Sequence, residues 1–178
     1  RLKSLVSQIH SYRSAHISFV NFYHALPGDF SQASDLLSSE LRNGNSNHII
    51  EGAGLDRESE AYQYWRHLMK ADLIQGFQGD APQPKLGGVI TISYNPREDL
   101  RGHWYVVGSP QGSTGEGALL TPKQAFYLDQ NFDNGDPRSG DFQCRQGEGE
   151  GAGRCLTSDG KYNLSDDRPA CVGYFKVE

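Results

Sequence analysis

The stretch RLKSLVSQIHSYRSAHISFVNFYHALPGD (1–29) decides the fold. Leu2, Leu5, Ile9, Tyr12, His16, Phe19 and Tyr23 recur at alternating steps of three and four, the spacing of one face of an α-helix. His16 interrupts a stripe that is otherwise apolar or aromatic, and Val6, Val20 and Phe22 widen it. Lys3, Ser7, Ser14 and Asn21 occupy the opposite face. The spacing predicts one helix over residues 1–26, roughly 35 to 40 Å long at about 1.5 Å per residue. Pro27-Gly28 ends it. No Ser, Thr, Asp or Asn precedes Leu2 as a cap, so the helix is expected to continue upstream of Arg1.

Downstream, Asp29 to Leu41 reads as a short second helix, with Asp29 or Ser31 as its cap. NGNSN (43–47) is turn chemistry. A third helix is predicted over about Arg57 to Ile74, with Ala61, Tyr64, Trp65, Leu68, Met69 and Leu73 facing inward and Gly76 as its stop. After residue 80 the period changes. GGVITISYN (87–95) and HWYVVGS (103–109) are β-branched and alternating, which predicts two strands joined by a hairpin-length loop. GSTGEG (112–117) reads as a flexible connector. TPKQAFYLDQNF opens a short helix with Pro122 at its first position, and NGDPRSG (134–140) is a turn. DFQCR, RCLTS and CVGYFKV read as short strands. Helices first and strands after predict an α+β fold, with an antiparallel β-sheet packed on the long N-terminal helix. One domain is expected over residues 1–178: helix at 1–26, a helical connecting region at 27–80, and sheet with C-terminal loop at 81–178.

The 178 residues carry a net charge of −5 and 21 glycines. That balance offers no field for a polyanion, so nucleic acid and anionic membrane surfaces are not expected partners. No apolar run of about 18 residues occurs, so no membrane-spanning helix is expected within the chain. The histidines form no H-E-x-x-H, and neither a G-x-S-x-G nor a Walker loop is present. His103-Trp104 and His67 near Trp65 read as packed or surface pairs rather than bases. No nucleophile is legible beside a base, and an enzyme is not expected. One stretch, LDQNFDNGD (128–136), places hard oxygens at alternate positions, as a calcium loop does. Asp129, Asp133 and Asp136 would be its ligands. The glycine falls one place late, and the acidic residue that closes such a loop is missing. The preferred reading is a helix end entering a turn, with Asp133 or Asn134 bonding backbone N–H groups and no cofactor.

Cys144, Cys155 and Cys171 lie in the last 35 residues without a metal-site spacing. Clustering in a loop-rich tail suggests a disulfide formed in an oxidising compartment. Cys155–Cys171 would close a 15-residue loop, worth roughly 3 kcal/mol. Cys144–Cys155 would instead staple RQGEGEGAGR. The first pairing is preferred, leaving Cys144 free.

An ordered set of residues resembles the type IV pilin-like proteins, whose long helix ends in Tyr-x-x-Leu-Pro-Gly-Asp-x-x-x-Ala. The match is Tyr23, Leu26, Pro27, Gly28, Asp29 and Ala33. Glu60, Trp65, His67, Leu68 and Ala71 follow on a helix. Asp129, Asp133, Asn134, Gly135, Pro137 and Gly140 are similar to the family's Asp-Asp-Gly-x-Pro-x-x-Gly segment, with Asn134 in place of an Asp. Cys155, Tyr162, Cys171 and Phe175 are similar to its closing loop, in which two cysteines bridge across a Tyr. The resemblance implies a pilin fold with loop-rich insertions and a disulfide-closed C-terminal loop. It further implies a leader, a cleavage site and an apolar helix upstream of Arg1. The expected function is that of a structural subunit of a type IV pilus or type II secretion pseudopilus. Its partners would be other pilin or pseudopilin subunits. The upstream helix would hold it in the inner membrane, head in the periplasm, until it joins a surface pilus or periplasmic pseudopilus. The alternative is an adhesive or ligand-binding pilus-tip module using Trp104, Tyr105 and the glycine-rich loop.

Overall fold

The computed structural model describes residues 1–178. Its elements are α1 (Leu2–Tyr23), α2 (Ala33–Leu36), α3 (Glu60–Lys70), β1 (Val89–Tyr94), β2 (His103–Gln111), β3 (Thr114–Gly117), α4 (Pro122–Phe132), β4 (Phe142–Gln146) and β5 (Cys171–Lys176). The fold is α+β. The sheet runs β1-β2-β5-β4, with β3 added beside β2, and every pairing is antiparallel. No helix is long and apolar enough to cross a membrane.

The stripe read from the sequence is the buried face of α1. Leu5, Val6, Ile9, Ala15, His16 and Phe19 are buried along it. They share one core with Tyr64, Trp65 and Leu68 of α3 and with Ile90, Ile92, Tyr105 and Val107 of the sheet. Phe22 is a correction: it stays 75% exposed, resting edge-on against Tyr23 at 4.8 Å rather than widening the buried face. The helix also ends three residues earlier than predicted. His24 takes a left-handed conformation and donates its N–H to the Val20 carbonyl, which closes the last turn before Pro27 is reached.

The second helix shrinks to one turn. Neither predicted cap, Asp29 or Ser31, serves it, for Gln32 stands at the cap position without a side-chain bond, and the Asp29 carboxylate accepts the N–H groups of Asn47 and His48 instead. The backbone of residues 29–30 likewise pairs with Gly44 and Ser46 instead of turning helical. The third helix is trimmed at both ends. Ser59 caps it by accepting the Tyr62 N–H, and the positive φ of Asp72 ends it before Gly76.

The sheet departs from expectation in two places. Residues 112–117 are not a connector, because Thr114–Gly117 pairs with β2 around a bulge between Ser109 and Gln111. RCLTS makes no strand beyond the single bridge Leu156–Tyr162, since Gln146 and Asp166 side chains take the N–H groups of Cys155 and Arg154. Both faces of the sheet are buried. Loop 95–102 folds over the face opposite α1 and sets Leu100 among Trp104, Val106, Val172 and Tyr174. Thr121 and Gln124 form a reciprocal cap at the start of α4.

Gly28 marks the corner between α1 and the rest of the chain. Its φ is +84°, and a Cβ there would stand 2.4 Å from the Glu60 carbonyl. Gly28→Ala is expected to cost about 3 kcal/mol through backbone strain and displacement of α3. Gly76→Ala, where a Cβ meets nothing within 4 Å, is expected to stay within about 0.5 kcal/mol of the parent. Urea midpoints of the two variants check both statements.

Candidate functional site

Most of the residues that carry the resemblance gather at two corners, while Trp65 and Leu68 lie in the main core. The first is the exit of α1. Tyr23 packs on Phe19 and Phe30 at 4.6 and 5.2 Å. Leu26, Pro27, Gly28, Asp29 and Ala33 are all buried. Asp29 is 1% exposed, and its carboxylate acts as a hub for the returning loop at residues 47–48.

Gly28 N–H donates to His67 Nδ1 at 2.8 Å, while His67 Nε2 faces the Arg42 carbonyl at 2.9 Å. A backbone N–H only donates and a carbonyl only accepts, so His67 is held neutral with its proton on Nε2. Burial also pushes its pKa down, against the raising effects of the Arg42 carbonyl and Asp29.

The second corner joins the end of α4 to the C-terminal loop. Cys155 and Cys171 form the disulfide, with Cα atoms 5.0 Å apart. Inside the loop they close, Tyr162 donates its hydroxyl to Asp129 Oδ2 at 2.6 Å. Asp129 Oδ1 accepts the Gly135 N–H at 2.8 Å. Burial raises the Asp129 pKa, and these two hydrogen bonds oppose the rise. Asp133 accepts the Phe142 N–H at 3.0 Å. Gly140 has φ +88°, and a Cβ there would lie 2.1 Å from the Asp133 carboxylate. Pro137 presents its carbonyl to Cys144 N–H and to Arg145.

The structure does not bring Asp129, Asp133 and Asp136 together as a ligand set. Each carboxylate is turned to a different N–H group, with Asp136 accepting from Arg138 N–H and the Ser139 hydroxyl. No group of three or more His, Cys, Asp or Glu is placed to hold a metal ion. Cys144 is a free, buried thiol, and burial pushes its pKa up to about 12.

His103 is 4% exposed. Its Nε2 accepts the Ile50 N–H at 3.0 Å, and its Nδ1 faces Glu178 Oε1 at 3.0 Å. Neither nitrogen is left to act as a base on a bound molecule. Trp104 is 4% and Tyr105 0% exposed, so neither ring offers a stacking surface. An open groove of about 590 Å³ lies between α1 and residues 72–83, with Gln8, Tyr12, Leu73, Phe77 and Pro82 among its walls. Reading the sequence for packing alone missed the three contacts that His67 and His103 make with residues 28, 42 and 50. A histidine beside an aromatic on a helix or strand carries no local signal of such a partner.

No family model matches the chain, and no curated protein or solved structure matches it.

Mass mapping after thiol blocking is expected to find Cys155 bridged to Cys171. Cys144 should alkylate only in denaturant, because a buried thiol with a raised pKa carries little thiolate. Tyr162→Phe, which removes the hydroxyl from a buried carboxylate, is expected to cost about 1 to 3 kcal/mol in urea unfolding. With its carboxylates already engaged, the 129–136 turn is expected to show no melting shift between calcium and EGTA.

Proposed function

We propose that this chain is the head of a type IV pilin-like subunit, built into a type IV pilus or a type II secretion pseudopilus. The observation that supports this most is where the resembling residues fall. Spread from Tyr23 to Phe175, most of them collect at two corners, one at the exit of α1 and one between α4 and the C-terminal loop. Each has a structural job there, as expected of a protein whose function is to be a durable building block.

In this reading α1 continues upstream into an apolar helix that anchors the subunit in the inner membrane and later packs among its neighbours. The outer face of α1 leaves Ile17 57% and Phe22 75% exposed. Those side chains would meet adjacent subunits. The head would stand in the periplasm before assembly and on the filament exterior after it. An adhesive tip role would need an exposed aromatic surface other than Trp104 and Tyr105.

The test is to read the codons preceding Arg1, then express the full gene in a cell with a prepilin-processing filament system. The expected result is an apolar stretch of about 20 residues, proteolytic processing ahead of it, and chain recovered in sheared filaments. Ser14→Cys, on the exposed side of α1, should cross-link to neighbours there. Upstream codons without an apolar stretch would end this reading.

A further inference from the structure

Residues 24–59 form a long excursion between α1 and α3 that contains one helical turn. Most of its backbone groups must therefore find partners outside regular structure. Two of its N–H groups, at its start and near its far end, are taken by imidazole nitrogens. Gly28 donates to Nδ1 of His67 on α3. Ile50 donates to Nε2 of His103 on β2.

Both bonds need a lone pair on that nitrogen. Protonating either ring would place an N–H against an N–H at 2.8 or 3.0 Å. The opposite nitrogens are fixed as donors by the Arg42 carbonyl and by Glu178. Each histidine thus grips the excursion in its neutral form only.

We propose that His67 and His103 form a two-point clasp on residues 28–50 that opens on mild acidification while the disulfide-closed sheet stays folded. This does not depend on the filament reading.

Several groups face the pair. The excursion contributes Asp29 and Arg42, and Phe19 of α1 stacks on His67 at 6.3 Å. Tyr94 of β1 and Glu178 lie against His103. His16 of α1 senses both His103 and Glu178. Glu60 of α3 bonds Asn45 N–H and Glu51 N–H beside Asp29.

Burial holds both clasp imidazoles below the ordinary 6.5, and the carboxylates only partly offset it. An opened excursion returns them to water and to that ordinary value. The open form then binds more protons, so the closed form is complete above about pH 6.5 and is lost as the pH falls below it. His16, lowered to about 4, acts in the same sense at lower pH. Glu60, whose pKa is raised by burial, acts in the opposite sense and blunts the transition.

The test is amide hydrogen exchange by NMR on the whole 178-residue chain, with protection factors corrected for intrinsic rates, from about pH 7.5 to about pH 5. Protection at Gly28 and Ile50 is expected to fall by up to about tenfold per pH unit for each coupled imidazole. Protection at Val106 and Tyr174, in the sheet centre, should hold. The ¹⁵N shifts should show the Nε2–H tautomer for His67 and Nδ1–H for His103 at neutral pH. His67→Gln and His103→Gln supply an acceptor that cannot protonate, and each should flatten the response at its own amide.

Loss of Val106 and Tyr174 together with Gly28 and Ile50 would mean global acid unfolding and overturn the clasp. So would steady protection to pH 5, or the opposite tautomers. If a Gln variant fails to fold, the parent's exchange and tautomers decide alone.

Discussion

Tyr12, Tyr64, Trp65 and Tyr105 form the joint on which the other elements depend. They come from α1, α3 and β2, so one aromatic layer fixes three elements at once. Tyr12 meets Trp65 edge-on at 4.8 Å, and Trp65 stacks on Tyr105 at 5.8 Å. The layer is polar at one rim, where the Tyr64 and Tyr105 hydroxyls lie 2.7 Å apart and His16 Nδ1 faces Tyr64 at 3.0 Å. Aromatic pairs prefer such edge-on and offset geometries, and the hydroxyl chain satisfies groups that burial would otherwise penalise. It also gives His16 its place in the stripe. The residue that interrupts the apolar pattern sits where the core is lined with hydroxyls.

Much of the fold was legible because it follows from periodicity. The steps of three and four in residues 2–23 specify a face, and that face is buried. The alternation at 89–94 and 103–109 specifies strands. What escaped is what non-local contacts decide. Asp29 has the composition of a helix cap, yet two amides at residues 47 and 48 compete for it and win. Thr114–Gly117 has the composition of a connector, yet β2 extends to meet it. There, a Cβ on Gly108 would lie 2.1 Å from the Gly115 carbonyl, so close approach of the two strands requires the glycine. Leu100 shows the same limit. Nothing in NPREDLRG says that its leucine covers the outer face of the sheet.

The two corners were legible as types and illegible as roles. Asp129 and Tyr162 were named from different segments, and only the fold shows the hydroxyl on the carboxylate. The aspartates of 129–136 suit a cation or a turn equally well in sequence, because both uses ask for oxygens at short spacing. The choice depends on where backbone N–H groups point, and that is set by Gly135 and Gly140, both at positive φ. His67 and His103 read as filler for the same reason. A histidine's use is set by what its two nitrogens face, and those partners lie 39 and 53 residues away in sequence.

These contacts divide the molecule by the kind of interaction that holds it. From β4 to the last strand the chain is closed by a disulfide, ladder hydrogen bonds and the Asp129–Tyr162 pair. Residues 24–59 are anchored by a few buried apolar side chains, such as Leu26, Phe30, Leu41 and Ile50, and by single hydrogen bonds to side chains that titrate. Local opening free energies follow such differences, since a region with few apolar anchors opens before one with many. The excursion is attached just past the exit of α1, where Gly28 bonds His67 of α3, and at the first residue of β2, where Ile50 bonds His103. Anything that loosens it acts on the helix exit and the start of that strand together. At the helix exit, packing, backbone strain at Gly28 and side chains that titrate therefore act on the same few atoms.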